Sequence, residues 1–113
     1  MCIRDSRYPG LISDPGHDRA KSQMTGFGSI LCIQIAPAGG LSGADAADKL
    51  VRALQLWLPA TSLGGVESLI ERRRRHVAEP VSVPENLVRL SVGIENVEDL
   101  WADLQQALDA LGG

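Results

Sequence analysis

Apolar residues along this chain change their spacing several times, and each change marks an element. In residues 29–36, Leu31, Ile33 and Ile35 fall at every second position, the period of a strand with one buried face. Residues 87–94 repeat the signature: Val88, Leu90 and Val92 point one way, Leu87, Arg89, Ser91 and Gly93 the other. Between these strands Ala47, Leu50, Val51, Leu54 and Trp57 form one helical stripe. Ser42 is placed to cap that helix, with Asp45 three positions on, and Pro59 to stop it, so the spacing predicts a helix running to about Trp57. A second stripe, Val97, Leu100, Trp101, Leu104, Ala107, Leu108 and Leu111, predicts a last helix. Asn96 caps it, Asp99 complements its dipole, and Gly112 and Gly113 supply the exit. Residues 17–24 allow a short helix, and 66–76 read as a helix that ends in the basic run 72–75. Glycine and proline mark turns at 8–11 and 14–16 and loops at 37–40 and 80–84.

Alternating strands and helices with short connections predict an α/β class domain of the small α+β kind. Its antiparallel or mixed sheet is covered on one face by the two long helices. The other face is left for a second domain, a partner or a ligand. Residues 1–7 fit no pattern and are set aside as a non-native leader, 8–25 read as an incoming connector, and 26–113 form the domain. Trp57 and Trp101 lie on the helical stripes and read as packing residues, not ligand stackers.

Composition narrows the function classes. Apolar content of 44% over 113 residues allows one globular core, and a net charge of -3 disfavours a nucleic-acid surface. The basic run therefore reads as a solvated face, not a phosphate patch. Two cysteines, Cys2 and Cys32, make no disulfide framework, and nothing has metal-ligand spacing. With no bilayer-length apolar run and no signal-like start, a cytoplasmic setting is the expectation.

Two places carry candidate chemistry. Thr61 and Ser62 lead into Gly64 and Gly65, either an ordinary turn or a bend that offers N–H and O–H groups to a polar ligand. Arg89 is a cation on an otherwise compact strand, either snorkelling to water or held rigidly to take a carboxylate bidentately. A reaction centre is harder to find. Gly26-Phe27-Gly28 precedes a strand, the wrong order for a phosphate loop, and His17 and His76 have no nucleophile partner. Lys21 and Lys49, the only lysines, lack the apolar setting that would lower their pKa.

The runs Ser62-Leu63-Gly64-Gly65-Val66-Glu67-Ser68-Leu69-Ile70, Leu87-Val88-Arg89-Leu90-Ser91-Val92-Gly93-Ile94-Glu95 and Glu98-Asp99-Leu100 resemble the Cys/Met-metabolism family of pyridoxal-phosphate (PLP) enzymes. These are the trans-sulfuration enzymes: cystathionine γ-synthase, cystathionine γ-lyase, cystathionine β-lyase and methionine γ-lyase. Tyr8-Pro9-Gly10-Leu11, His17, Gln23-Met24 and Gly26-Phe27-Gly28 are similar to the segment that leads into the C-terminal domain there. The resemblance covers about 8–111. It implies the C-terminal domain of a fold-type I PLP-dependent transferase, in which Arg89 pairs with the substrate α-carboxylate and Ser62 helps to hold it. Thr61 and Leu63 flank that serine and join the substrate-binding set.

The resemblance also implies a parent that is a cytoplasmic C–S lyase or transferase, usually a homotetramer, acting on cystathionine, methionine or O-acylhomoserine. Its pyridoxal phosphate and Schiff-base lysine belong to an N-terminal domain, so this chain alone should hold neither a catalytic nor a cofactor-binding residue and should be inactive. Departures from the family pattern bear on the chemistry. Thr61 stands where many members have glutamate, Leu63 where cystathionine β-lyases usually have tryptophan, and 71–79 replaces a Pro-Ala-x-Met-Thr-His stretch. γ-Synthase or γ-lyase chemistry is slightly favoured by Leu63, with β-lyase or methionine γ-lyase chemistry as alternatives. A stand-alone, non-catalytic α/β binding module is the alternative from another class.

Overall fold

Among the described residues, five strands form one mixed sheet: β1 (Ile3–Arg7), β2 (Ile30–Ile35), β3 (Leu58–Pro59), β4 (Leu69–Arg72) and β5 (Leu87–Ser91), in the order β1-β2-β5-β4-β3. Every pair is antiparallel except β3 with β4. The helices are α1 (His17–Gln23), α2 (Gly43–Ala53) and α3 (Val97–Gly112). The computed structural model describes residues 3–75 and 78–112, so Cys2, His76 and Gly113 lie outside the described residues.

Register decides which side chains meet the helices. Ile33 stands opposite Val88, and Leu90 is flanked by Leu31 and Ile70. With a period of two, all five share one face. That face packs with Leu50 of α2 and Leu100, Leu104 and Leu111 of α3 in a single hydrophobic cluster. The α/β architecture with helices on one face is as the periodicity predicts. Both long helices start where expected: Ser42 Oγ accepts the Asp45 N–H at 3.1 Å, and Asn96 Oδ1 accepts those of Glu98 and Asp99 at 2.8 and 3.3 Å.

Two local expectations fail, each for a tertiary reason. The first is the end of α2, which closes at Ala53 and not near Trp57. Leu54 turns extended, and the N–H groups of Gln55, Leu56 and Trp57 donate to the Asp103 carboxylate of α3 at 2.9, 2.7 and 3.1 Å. A buried charged acceptor outbids the neutral carbonyls that a longer helix would offer. Trp57 Nε1 adds a bond of 3.0 Å to the Leu100 carbonyl, and the indole is buried.

The second is the helix expected over 66–76: in its described part, 66–75, β4 and a 3₁₀ turn, Arg73–Arg75, stand instead. Leu69 and Ile70 are too few to set a period alone, and pairing with β5 decides for strand. Nor are 72–74 a solvated face. Arg72 Nε lies 2.7 Å from Asp48 Oδ1, Arg73 pairs with Glu71 and with Glu79, and Arg74 Nη2 is 2.9 Å from Glu85 Oε1. These ion pairs fasten the return loop, together with Arg74 bonds to the Val81 and Val83 carbonyls.

The apolar stripe of α3 is buried only in part. Val97 and Trp101 sit on its outer flank, Trp101 at 52% exposure, so only Trp57 of the two tryptophans is a core residue. Ile3–Arg7, which carries no readable pattern in the sequence, is an edge strand paired with β2. No helix among the described residues is long and apolar enough to cross a membrane.

Candidate substrate-binding site

The bend between β3 and β4 is shaped by β5. Gly64 has φ +77°, a left-handed value that favours glycine, and its N–H donates to Ser91 Oγ at 2.9 Å. Beyond it, Ile94 N–H donates to the Val66 carbonyl at 2.9 Å, and Gly93 N–H to Ser68 Oγ at 2.8 Å. Ser68 in turn donates its N–H and hydroxyl to the Glu95 carboxylate at 2.9 and 2.7 Å. Those two donors hold Glu95 below the usual carboxylate range. The two sequence runs thus form one interlocked unit, and Ser91, 1% exposed, serves the bend and not a ligand.

Close approach of backbone to backbone requires the glycine at 93. A Cβ there would lie 2.2 Å from the Val66 carbonyl oxygen. Gly93→Ala is therefore expected to destabilise the chain by about 2–3 kcal/mol, since the bend must lift off β5. Urea denaturation followed by circular dichroism measures it, and a change within experimental scatter would mean that the bend is not seated as described.

Arg89 occupies the middle of the sheet's other face, opposite Cys32 on β2 and Glu71 on β4. Its side chain is 16% exposed, so it does not snorkel freely to water. The guanidinium turns to the bend: Nη2 donates to the Thr61 carbonyl at 2.6 Å. Glu71 Oε2 lies 3.7 Å from the same nitrogen, a charge contact outside hydrogen-bond distance, and takes Arg73 Nη1 as its close partner. Among the described residues, Nε and Nη1 of Arg89 have no hydrogen-bond acceptor. A fork of donors is thus held in place with one corner pinned.

Thr61 and Arg89 line an open cleft with Arg73, Ala78, Glu79 and Pro80. Ser62 and Leu63 are exposed on the same bend but do not line that cleft, so the structure joins Arg89 with Thr61 more directly than with Ser62. Sequence reasoning missed Glu71, Arg73 and Glu79. Their only signal was the mixing of acids with the basic run, which reads equally well as surface. Burial pushes the Cys32 thiol up, outweighing the opposite pull of Arg89, Arg7 and Arg73, so its surroundings favour the neutral thiol.

Among the described residues, the lysines and the histidine do not form a pyridoxal-phosphate site. Lys49 lies in the helix layer, across the sheet from Arg89, with Nζ 3.5 Å from the Ala110 carbonyl. Lys21 is exposed on α1. His17 is satisfied by the Pro9 carbonyl at 2.7 Å and stacks on Phe27. No step through the cofactor can be built from these groups.

A sequence profile of the Cys/Met metabolism PLP-dependent enzymes matches residues 2–109. The chain belongs to this family. It is 44% identical over 106 residues to a cystathionine gamma-synthase of Mycobacterium bovis, covering 89% of this chain and 26% of that protein. It is 39% identical over 110 residues to a cystathionine beta-lyase of Lactococcus lactis subsp. cremoris, covering 90% and 27%. Among solved structures, metB from Corynebacterium glutamicum superposes with a TM-score of 0.84 at 39% identity, over 96% of this chain and 28% of that one. A methionine gamma lyase from Micromonospora echinospora gives 0.81 at 36% identity, over 95% and 26%. The chain spans about a quarter of the length of the relatives it matches.

Proposed function

We propose that this chain is the C-terminal, substrate-carboxylate-binding part of a PLP-dependent trans-sulfuration enzyme of the cystathionine γ-synthase or γ-lyase kind. In this reading residues 8–25 enter from a cofactor domain and 26–113 form the clamp. The observation that carries it is the Arg89 guanidinium, fixed on β5, pinned to the Thr61 carbonyl through Nη2 and lining the cleft, with no acceptor for Nε and Nη1 among the described residues. A planar fork matches the two oxygens of an α-carboxylate. Fixing that end of an amino acid sets the direction of the bonds at Cα, which decides the bond that breaks. Ser62 adds a hydroxyl beside the carboxylate, while Thr61 and Leu63 shape the adjoining wall.

Pyridoxal phosphate is held by a part of the parent outside this chain, and the chain alone is inactive. The substrate is cystathionine, methionine or an O-acylhomoserine, handled in the cytoplasm by a homotetramer. Likeness to a named β-lyase and a named methionine γ-lyase supports those two chemistries as the second reading. The test is to assay the full-length protein containing this segment on L-cystathionine, L-methionine and O-succinyl-L-homoserine. Cofactor-dependent turnover of at least one is expected, with none from the isolated chain. A full-length protein that binds no pyridoxal phosphate and turns over none of the three would overturn the assignment.

A further inference from the structure

Arg89 and Ser91 share one face of β5, two residues and about 6.5–7 Å of strand apart. Each makes one bond to the bend. Arg89 Nη2 donates to the Thr61 carbonyl at 2.6 Å, and Ser91 Oγ accepts the Gly64 N–H at 2.9 Å. Among the described residues these are the only hydrogen bonds of 61–65. The flanks are fastened separately: Ala60 N–H donates to the Ile70 carbonyl at 3.3 Å, and the Val66 carbonyl accepts the Ile94 N–H at 2.9 Å. The two anchors of the bend are unequal. Ser91 is buried in the sheet, whereas Thr61 is an exposed residue whose carbonyl has no other hold on it. The buried anchor therefore decides where the bend lies, and through the bend it delivers the Thr61 carbonyl to Arg89.

We infer that Ser91 is a positioning residue for the carboxylate clamp: by seating the bend at Gly64 it places the Thr61 carbonyl that orients the Arg89 guanidinium. The inference rests on the proposed role of Arg89 and deepens it. A guanidinium already held at one corner loses less freedom when it takes a carboxylate, so the oriented fork binds more tightly. Without the Ser91 hydroxyl, 61–65 hangs between its ends on the Arg89 bond alone, and the cation holds the bend where the bend should hold the cation. The strand keeps its other fastenings to this segment, Ile94 to Val66 and Gly93 to Ser68. The loss therefore falls on substrate handling.

The experiment uses the full-length enzyme with L-cystathionine, L-methionine or O-succinyl-L-homoserine, whichever it turns over fastest. It compares Ser91→Ala, Ser91→Cys, Arg89→Ala and the double variant Arg89→Ala/Ser91→Ala. Ser91→Ala is expected to lower kcat/KM about tenfold, the worth of one hydrogen bond lost with its donor left unpaired. Ser91→Cys, close in size and a weak acceptor, is expected to lower it about threefold. In the Arg89→Ala background the serine has no guanidinium left to orient, so the double variant is expected within about threefold of Arg89→Ala.

A general structural role for Ser91 would cost the double variant the full tenfold again. If Ser91→Ala folds poorly by circular dichroism, Ser91→Cys and Arg89→Ala/Ser91→Cys decide: the threefold loss is expected in the first and absent from the second relative to Arg89→Ala. Where Arg89→Ala is impaired, a Ser91→Ala variant that matches wild type overturns the inference while the clamp stands. So does a double variant tenfold below Arg89→Ala, or a thiol variant whose loss persists without Arg89. If Arg89→Ala itself leaves kcat/KM unchanged, the clamp fails and the positioning role falls with it.

Discussion

Arg89→Ala is expected to lower kcat/KM of the full-length enzyme by two to three orders of magnitude. Two charge-assisted hydrogen bonds at roughly 1.5–3 kcal/mol each make about 3–4 kcal/mol a fair expectation for losing the fork. Both constants should move: KM because the carboxylate loses its anchor, and kcat because the bonds at Cα are no longer held in one direction. Visible absorbance of the bound cofactor should stay normal, since in the proposed reading the cofactor is held outside this chain. Arg89→Lys retains charge but not the planar pair of donors, so it should fall between wild type and alanine. Unchanged kinetics in the alanine variant would remove Arg89 from the site.

The largest effect on stability is expected at Asp103. Its carboxylate takes three backbone N–H groups, those of Gln55, Leu56 and Trp57, and the Gln106 amide at 3.1 Å. Asp103→Ala leaves the three backbone donors without their acceptor, while the Gln106 amide keeps the Ala53 carbonyl at 2.9 Å. At roughly 1–3 kcal/mol for each buried unsatisfied group, a total near 4 kcal/mol is expected. Asp103→Asn keeps one carbonyl oxygen and should cost about half as much. Urea titrations followed by tryptophan fluorescence would measure both, and a loss below about 1 kcal/mol in the alanine variant would show that water replaces the carboxylate without penalty.

A pH dependence follows from the same residue. Burial raises the Asp103 pKa, but the N–H groups of Gln55, Leu56 and Trp57 and the Gln106 amide outweigh it, and the net shift is downward. A carboxyl with a lowered folded pKa adds stability that is fully present above its unfolded value, near about 4. That stability is lost as pH falls through the folded value. Acid should therefore weaken the wild-type chain below about pH 4 more steeply than it weakens Asp103→Asn.

Much of the layout was readable from local patterns. Alternation in β2 and β5, the stripes of α2 and α3 and the caps at Ser42 and Asn96 depend on contacts within a few residues. The misreadings share another origin. Asp103 lies on the buried side of α3 between Leu100 and Leu104, and a carboxylate among apolar positions was the available sign that it serves another segment. Its partners, though, are backbone groups 46 to 48 residues away. The basic run 72–75 looked like surface because charge alone does not say whether acids wait nearby in space. Asp48 and Glu85 are remote in sequence, and their convergence on Arg72 needs α2 and the return loop to be in place.

By itself the sequence determined the family, the two motif runs and the strand position that makes Arg89 a candidate clamp, because these are carried by residue identity and short-range periodicity. Only the tertiary structure decided where α2 stops, that 69–72 is a strand, and that Arg89 faces the bend while Glu71 pairs with Arg73. Those outcomes depend on which charged and polar groups from distant segments arrive at hydrogen-bond distance, and spacing along a chain does not encode distance across a sheet.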